Sequence, residues 1–412
     1  MTQNCVKKRI AVSKCFSFVI ESSAVKASAK LHHKNSKKKL AGIYLHIPFC
    51  KQACAYCNFH FSTSLRYKPE MIEALVSEIA LEKDYLKNEI IDTIYLGGGT
   101  PSILTGEECN LFIQTIRHHF MVAANAEITL EANPDDITKP QLQYWKVAGI
   151  NRLSIGVQSF IKEELKWMNR AHNAKQAFSS LELVRQEFEN FTIDLIYGSP
   201  LLTDEMWERN VDTAMSLAIP HVSCYALTVE EKTPLYKSIA LKKTVDVDNE
   251  KQARQFLLLI QWLQQNGYEH YEVSNFAKPG YRSRHNSSYW KGTHYLGIGP
   301  SAHSYNGTER RWNVANNAAY IRTLQLGVPQ RETETLSAVN RLNENIMISL
   351  RTSEGLDLRQ VESTWGITEK ERIEQQLKKF ANKGLIRFHN DSARLTNEGM
   401  LMADGIAADL FI

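Results

Sequence analysis

Three thiols lie within eight residues, at Cys50, Cys54 and Cys57, in the spacing C-x3-C-x2-C directly after the apolar run 43–47. Thiolates at this density are the usual ligands of an iron–sulfur cluster. A [4Fe–4S] cube bound by three cysteines keeps one iron without a protein ligand, a place for cofactor or substrate chemistry; a fourth thiolate would close it. Zinc normally takes a tetrahedral set of four ligands, and no local pair completes one here. His46 and His60 are near enough in sequence to keep zinc open as an alternative. Three unrelated core cysteines are the remaining reading.

A loop of this kind needs a strand before it and a framework around it. From Gly42 onward, short apolar runs alternate with helical segments. The runs 43–47, 93–96, 127–130, 152–157, 191–197 and 221–226 read as strands, and 268–274 as an extension of their sheet. Between them, helices are expected over 105–119, 138–148, 174–189, 204–217 and 249–266. An earlier helix starts at Pro69, with Met71, Ile72, Leu75, Val76 and Ile79 on one face. Six strand–helix units predict an α/β fold with a parallel sheet under covering helices. Closure into a barrel leaves no trace in periodicity. Polar residues or glycines stand within the later part of each run or just after it: the cysteine loop, Gly97–Gly98–Gly99, Glu131 to Asn133, Gln158, Asp194 and Tyr225. Strand ends of this kind share one mouth in such sheets.

Tyr44, six residues before Cys50, the Ile47–Pro48–Phe49 lead-in and Tyr56 before Cys57 resemble the radical S-adenosylmethionine (SAM) superfamily. Within it the chain is most similar to the oxygen-independent coproporphyrinogen III oxidase branch, and there to the HemW-type haem chaperones, over residues 41–412. The resemblance implies a partial (β/α)6 barrel with a smaller α+β, winged-helix-like module at the carboxyl end. It also implies a [4Fe–4S] cluster on Cys50, Cys54 and Cys57, with SAM chelating the open iron; in the superfamily an electron from the cluster cleaves SAM to a 5′-deoxyadenosyl radical, whereas here cluster and SAM could instead act as a regulatory switch. The SAM contacts it implies are Tyr44, Tyr56, Gly98, Gly99, Thr100, Glu131, Gln158, Arg170, Asp194 and Ala226. A carboxylate such as Glu131 suits ribose hydroxyls, and a guanidinium such as Arg170 suits the SAM carboxylate. The plainer readings are a tight turn for the glycines, helix-terminus roles for Glu131 and Gln158, and a surface charge for Arg170.

His285–Asn286–Ser287–Ser288–Tyr289–Trp290 matches the HNxxYW motif of the chaperone subgroup. His285 is the expected haem ligand, with neighbouring aromatics against the porphyrin; a structural corner is the competing reading. His303 is a weaker alternative ligand. Cys109 and Cys224 fall on apolar faces and read as buried, inert thiols. In the oxidases a fourth cysteine follows two residues after the third; here that position is Phe59.

Of the 412 residues, 43% are hydrophobic and 23% charged, and no run reaches the ~18 apolar residues of a membrane span. Seven cysteines, three of them clustered, fit a reducing compartment. The net charge of +4 is misleading: residues 1–40 carry a local +9, leaving −5 on the rest. Residues 1–40 are expected to be a disordered or non-native basic extension, with a mitochondrial transit peptide as the alternative; the solvated His32–His33 pair lies within them. The barrel is expected over 41–275, a connecting segment with the HNxxYW motif over 276–330, and the winged-helix-like module over 331–412. That module holds 11 basic and 13 acidic residues, a poor match to nucleic acid.

These readings converge on a cytoplasmic chaperone that binds haem, SAM and the cluster. It would pass haem to acceptor proteins, respiratory enzymes at the membrane among them, with homodimerisation as part of the expected cycle. The rival is a coproporphyrinogen III oxidase yielding protoporphyrinogen IX. A transit peptide would redirect the protein to mitochondria.

Overall fold

The computed structural model describes residues 38–412. The expectations for the basic extension, the transit peptide and His32–His33 lie outside the described residues, apart from 38–40. Leu40 already opens the first strand.

Six parallel strands stand side by side in chain order: β1 (Leu40–Ile47), β2 (Ile90–Gly98), β3 (Val122–Ala132), β4 (Arg152–Gln158), β5 (Phe191–Tyr197) and β6 (His221–Ala226). The helices around them are α1 (Lys68–Leu81), α2 (Gly106–His119), α3 (Lys139–Val147), α4 (Lys162–Trp167), α5 (Ala174–Glu187), α6 (Asp204–Ser216), α7 (Pro234–Ala240) and α8 (Asn249–Gln265). Local chemistry sets their starts. Thr105 with Glu108 and Asn173 with Gln176 form capping boxes on α2 and α5. Thr138, Thr203 and Asp248 accept backbone N–H bonds at the starts of α3, α6 and α8.

The strands have two unlike faces because side chains alternate along them. One set, including Ile43, Leu45, Ile94, Leu96, Ile128, Leu153, Ile193 and Val222, packs on Leu75, Phe112, Trp145, Leu181, Trp207 and Leu259 of the helices as the main core. The alternate set is polar: Thr93, Tyr95, Glu127, Glu131, Arg152, Ser154, Thr192, Asp194, His221 and Ser223. These residues bond to one another and to later elements on the concave side.

The sheet runs further than six strands. Beyond β6 it adds β7 (Glu269–Glu272) and β8 (Asn275–Ala277), antiparallel. Helix α9 (Arg284–Trp290) follows, and then β9 (His294–Ile298) pairs in parallel with the other side of β1. After it come β10 (His303–Tyr305), β11 (Glu309–Asn313), α10 (Asn317–Gln325) and β12 (Arg331–Thr335). The order is β12-β11-β10-β9-β1-β2-β3-β4-β5-β6-β8-β7, with free edges at β12 and β7, so the barrel is partial. The stretch expected to connect two domains therefore supplies strands of the main sheet. Its strands are three to five residues long and broken by Gly299 and Gly307 at positive φ, too short to display alternation.

The carboxyl-terminal module comprises α11 (Ala338–Leu350), β13 (Leu356–Asp357), α12 (Leu358–Trp365), α13 (Ile367–Ala381), β14 (Ile386–His389), β15 (Ser392–Leu395), α14 (Asn397–Met400) and α15 (Ala403–Leu410). Its three-stranded sheet is ordered β13-β15-β14, in winged-helix arrangement. A separate core of Leu342, Ile346, Leu350, Val361, Ile373, Leu377, Ile406 and Leu410 holds it. Leu356 pairs with Ala393, and Asp357 then caps α12. Among the described residues no helix is long and apolar enough to cross a membrane.

Candidate functional site

The carboxyl ends of β1–β6 open on a cavity of about 430 Å³. Cys50, Cys54, Cys57, Tyr56, Gly98, Gly99, Thr100, Glu131, Gln158, Arg170, Asp194 and Ala226 all line it. Two expected residues do not. Tyr44 lies beneath, its hydroxyl 3.2 Å from His46 Nδ1 and its ring stacked on Tyr95. His285 is on α9, in the barrel interior.

The cysteine loop is tied down at many points. Gly99 N–H donates to Ile47 O at 2.9 Å and Thr100 N–H to Phe49 O at 2.7 Å, so the glycine turn after β2 clasps the start of the loop. Cys50 N–H bonds Ser62 O, Ala55 N–H bonds Met168 O, and Asn169 Nδ2 bonds Ala53 O at 2.7 Å. Glycine is required in the clasp: a Cβ on Gly99 would sit 2.7 Å from Ile47 O, and Gly98 has φ +102°. Lys51 pairs with Asp135 and Asp136 and anchors the outer edge.

All five described cysteines are free thiols. Burial pushes the Cys50 thiol up to about 11 and raises that of Cys57. Thr100 Oγ1 lies 3.4 Å from Cys50 Sγ, and Arg170 Nη1 donates to Cys54 Sγ at 3.1 Å. Three thiols in one cavity suit a soft metal such as the irons of a cluster. Among the described residues no three His, Cys, Asp or Glu side chains converge on a single ion, as zinc would demand. On a cube the thiolates bind different irons and need not converge. His46 is spent on Tyr44 and on His60 O, and His60 Nε2 on Asn317, which removes the zinc partners the sequence left open.

Three carboxylates line the same cavity, Glu131, Asp194 and Glu230, and burial perturbs the first two. Glu131 accepts Tyr95 O–H at 2.8 Å and Gly98 N–H at 3.1 Å. Burial, with Asp194 adding repulsion, lifts its pKa to about 7 against those bonds. Asp194 is lifted by burial to about 6, opposed by Ser223, Arg152 and Arg170. Gln158 ends β4 at φ +68°, a strained conformation for a residue with a Cβ, which aims its side chain at the cavity rim. Arg170 is bound to the protein itself: Nη2 donates to Asn133 Oδ1 at 2.7 Å and to Gly156 O at 2.6 Å, leaving only Nε without a partner.

His285 is 1% exposed. Its Nδ1 meets Thr93 Oγ1 at 2.8 Å and its Nε2 meets Tyr289 O–H at 2.9 Å, while its backbone N–H donates to Glu127 at 2.9 Å. Burial drives its pKa down to about 3, so the ring is neutral. With both nitrogens bonded it presents no lone pair to a haem iron in this arrangement. Of the two readings of the motif, this is the geometry of the structural corner. His303 is exposed on β10 beside Trp312, away from the cavity. Cys109 and Cys224 are buried, as their apolar faces predict.

Residues 44–214 match the family model of the radical SAM superfamily, and 336–402 that of the HemN C-terminal domain. Heme chaperone HemW of Mycobacterium tuberculosis (strain H37Rv) is 35% identical over 375 residues, spanning 90% of this chain and 94% of its own. Heme chaperone HemW of Bacillus subtilis is 33% identical over 367 residues, spanning 88% and 97%. The chain belongs to the HemW family. The crystal structure of Escherichia coli coproporphyrinogen III oxidase (HemN), a radical SAM enzyme, matches this HemW-family fold with a TM-score of 0.78 over 91% of this chain and 90% of that one, at 24% identity. At that identity the match shows a common fold.

Several cavity residues of the HemW-family chain escaped the reading of its sequence, Ser154 and Gly156 among them. These two are the small inward positions of β4, visible in the period-two pattern Arg152, Ser154, Gly156, Gln158. Asn133 was legible as a polar strand-end residue, but not as the link between Arg170 and Thr100 Oγ1, which its Nδ2 reaches at 3.3 Å.

Proposed function

We propose that this HemW-family chain binds haem and delivers it to haem-requiring acceptor proteins. A [4Fe–4S] cluster on Cys50, Cys54 and Cys57, with SAM beside it, would govern its competence to do so. The observation that carries this reading is the make-up of the cavity wall: three thiols and Phe59. Phe59 is 68% exposed and occupies the position where the resembled oxidases have a fourth cysteine. Bound together, cluster and SAM supply one-electron chemistry at a sulfonium.

The chain's own part is binding and orientation. Gly98 and Gly99 let a ligand approach the backbone. Glu131 and Asp194 offer acceptors for hydroxyl groups, and Glu131, with its pKa lifted to about 7, can also donate when protonated. The Arg170 guanidinium, held by Asn133 and Gly156 O, places positive charge against the middle thiol. Ile196, Leu227 and the 42%-exposed Tyr225 give the remainder of the wall an apolar character. Iron ligation by His285 would require its bonds to Thr93 and Tyr289 to open. We place the protein in the cytoplasm, with membrane respiratory enzymes among its acceptors and a homodimer as a working state.

The test uses anaerobically reconstituted protein with SAM, a reductant and coproporphyrinogen III, followed by chromatography, beside a haem titration read by absorbance. Tight, stoichiometric haem binding without protoporphyrinogen supports the chaperone. Repeated turnover to protoporphyrinogen IX makes the protein an oxidase.

A further inference from the structure

The HNSSYW segment and the cavity are joined through one strand. β2 turns Thr93 and Tyr95 to the concave side, two residues apart, and ends at the cavity with Gly98. Thr93 Oγ1 holds His285 Nδ1 at 2.8 Å, and the His285 ring stacks on Tyr95 with centroids 4.9 Å apart and planes 24° from parallel. Tyr95 O–H donates to Glu131 Oε1 at 2.8 Å, and the other carboxylate oxygen accepts Gly98 N–H. On the next strand Glu127 accepts the backbone N–H groups of Arg284 and His285, at 3.0 and 2.9 Å, and so fixes the start of α9. The contacts run unbroken from α9 to the cavity floor.

The geometry points to His285 as a positioning residue for Glu131, acting through Tyr95, so that the conformation of α9 and ligand binding in the cavity are linked. This rests on the reading of the cavity as a SAM site. A half-buried carboxylate can serve a ligand only if it is aimed, and its aim comes from the Tyr95 hydroxyl. That hydroxyl is in turn located by a ring packed against both Tyr44 and His285, which also stack on each other with centroids 6.5 Å apart. Moving His285 removes the nearer of those two neighbours and strands Thr93 Oγ1. Linkage is reciprocal: whatever factor an opened α9 costs a ligand on Glu131, the ligand imposes on the opening of α9. The motif that marks the subgroup thereby becomes a wall support of its cofactor site.

The test is a double-mutant cycle in the reconstituted full chain. SAM affinity is measured by calorimetry for wild type, Tyr95→Phe, His285→Gln and the pair, with cluster content checked by absorbance. Each single change is expected to weaken binding about fivefold to tenfold, the worth of one hydrogen bond, and the pair no more than the worse single. Additive losses, or an unchanged affinity in His285→Gln, overturn the linkage. A second readout needs no SAM: in the ¹⁵N-histidine-labelled full chain, Glu131→Gln should shift the His285 ring signals, and Tyr95→Phe should abolish that response. Wild type that fails to bind SAM sinks the cofactor reading alone, because the ring signals still decide the linkage; His285 signals indifferent to Glu131→Gln overturn it.

Discussion

Arg170 meets Cys54 through a 3.1 Å Nη1···Sγ hydrogen bond, and the same guanidinium is pinned to Asn133 and to Gly156 O. The middle thiol of the loop is thus the one placed against a fixed positive charge. Residues just after β3, on β4 and in the segment after α4 meet at that point, so the barrel helps to locate the loop.

Replacing Arg170 by Lys should lower stability by about 2 kcal/mol, because an ammonium cannot reproduce the planar fork and leaves acceptors unpaired. Thermal unfolding reads this, and cluster content after reconstitution should fall with it. Unchanged melting and full cluster content would mean the fork is dispensable.

Replacing Cys50, Cys54 or Cys57 singly by Ala should abolish the brown chromophore of reconstituted protein. Cys109→Ala and Cys224→Ala, both on buried faces outside the cavity, should retain it while losing about 1 kcal/mol of stability from the vacated space. Iron and sulfide analysis separates the two classes.

Gly99→Ala tests the clasp. Its Cβ would press on the carbonyl oxygens of Phe49 and Ile47, backbone atoms that cannot turn aside. We expect the cysteine loop to be displaced and cluster yield to drop several-fold while the helical circular dichroism persists. Gly149→Ala, at a φ of +96° but with open space around it, should cost about 1 kcal/mol of stability without touching the cluster.

Glu131 gives a pH signature. Its folded pKa of about 7 lies above the ordinary 4.5, so between those values the folded state keeps a proton that the unfolded chain has lost. The stability it contributes is complete below pH 4.5 and is lost as pH rises through 7. Glu131→Gln removes that loss. The variant should therefore gain on wild type from pH 5 to pH 8, by on the order of 2 kcal/mol in denaturant unfolding of the cluster-free protein. A difference that stays flat with pH would show that the carboxylate is not held in its neutral form.

The central strands were legible because each carries its own apolar run or alternation; β5 and β6 span the same residues as the sequence patterns. Caps such as Thr105 with Glu108 are local and equally readable. The strands β9–β12 were not, since three to five residues cannot establish a period and their pairing depends on β1, some 250 residues earlier. The site divided in the same way. Strand-end residues lay where sequence order placed them, whereas the bonds of His285 are to Thr93, 192 positions away, and no local pattern records them. A histidine among aromatics looks identical as a ligand and as a buried strut until its partners are known.

The pairing of β9 with β1 has a consequence for biosynthesis. β1 leads into the cysteine loop and is the first of the described strands to leave the ribosome, yet one of its two neighbours, His294–Ile298, is made long afterwards. Until then the strand has an open edge, and Gly299, which packs against His46 O, is missing from behind it. Pairings so distant in sequence form late. The cysteine loop therefore gains its full support only after synthesis has passed residue 299, and a cluster bound as proposed would load on the released or nearly complete chain.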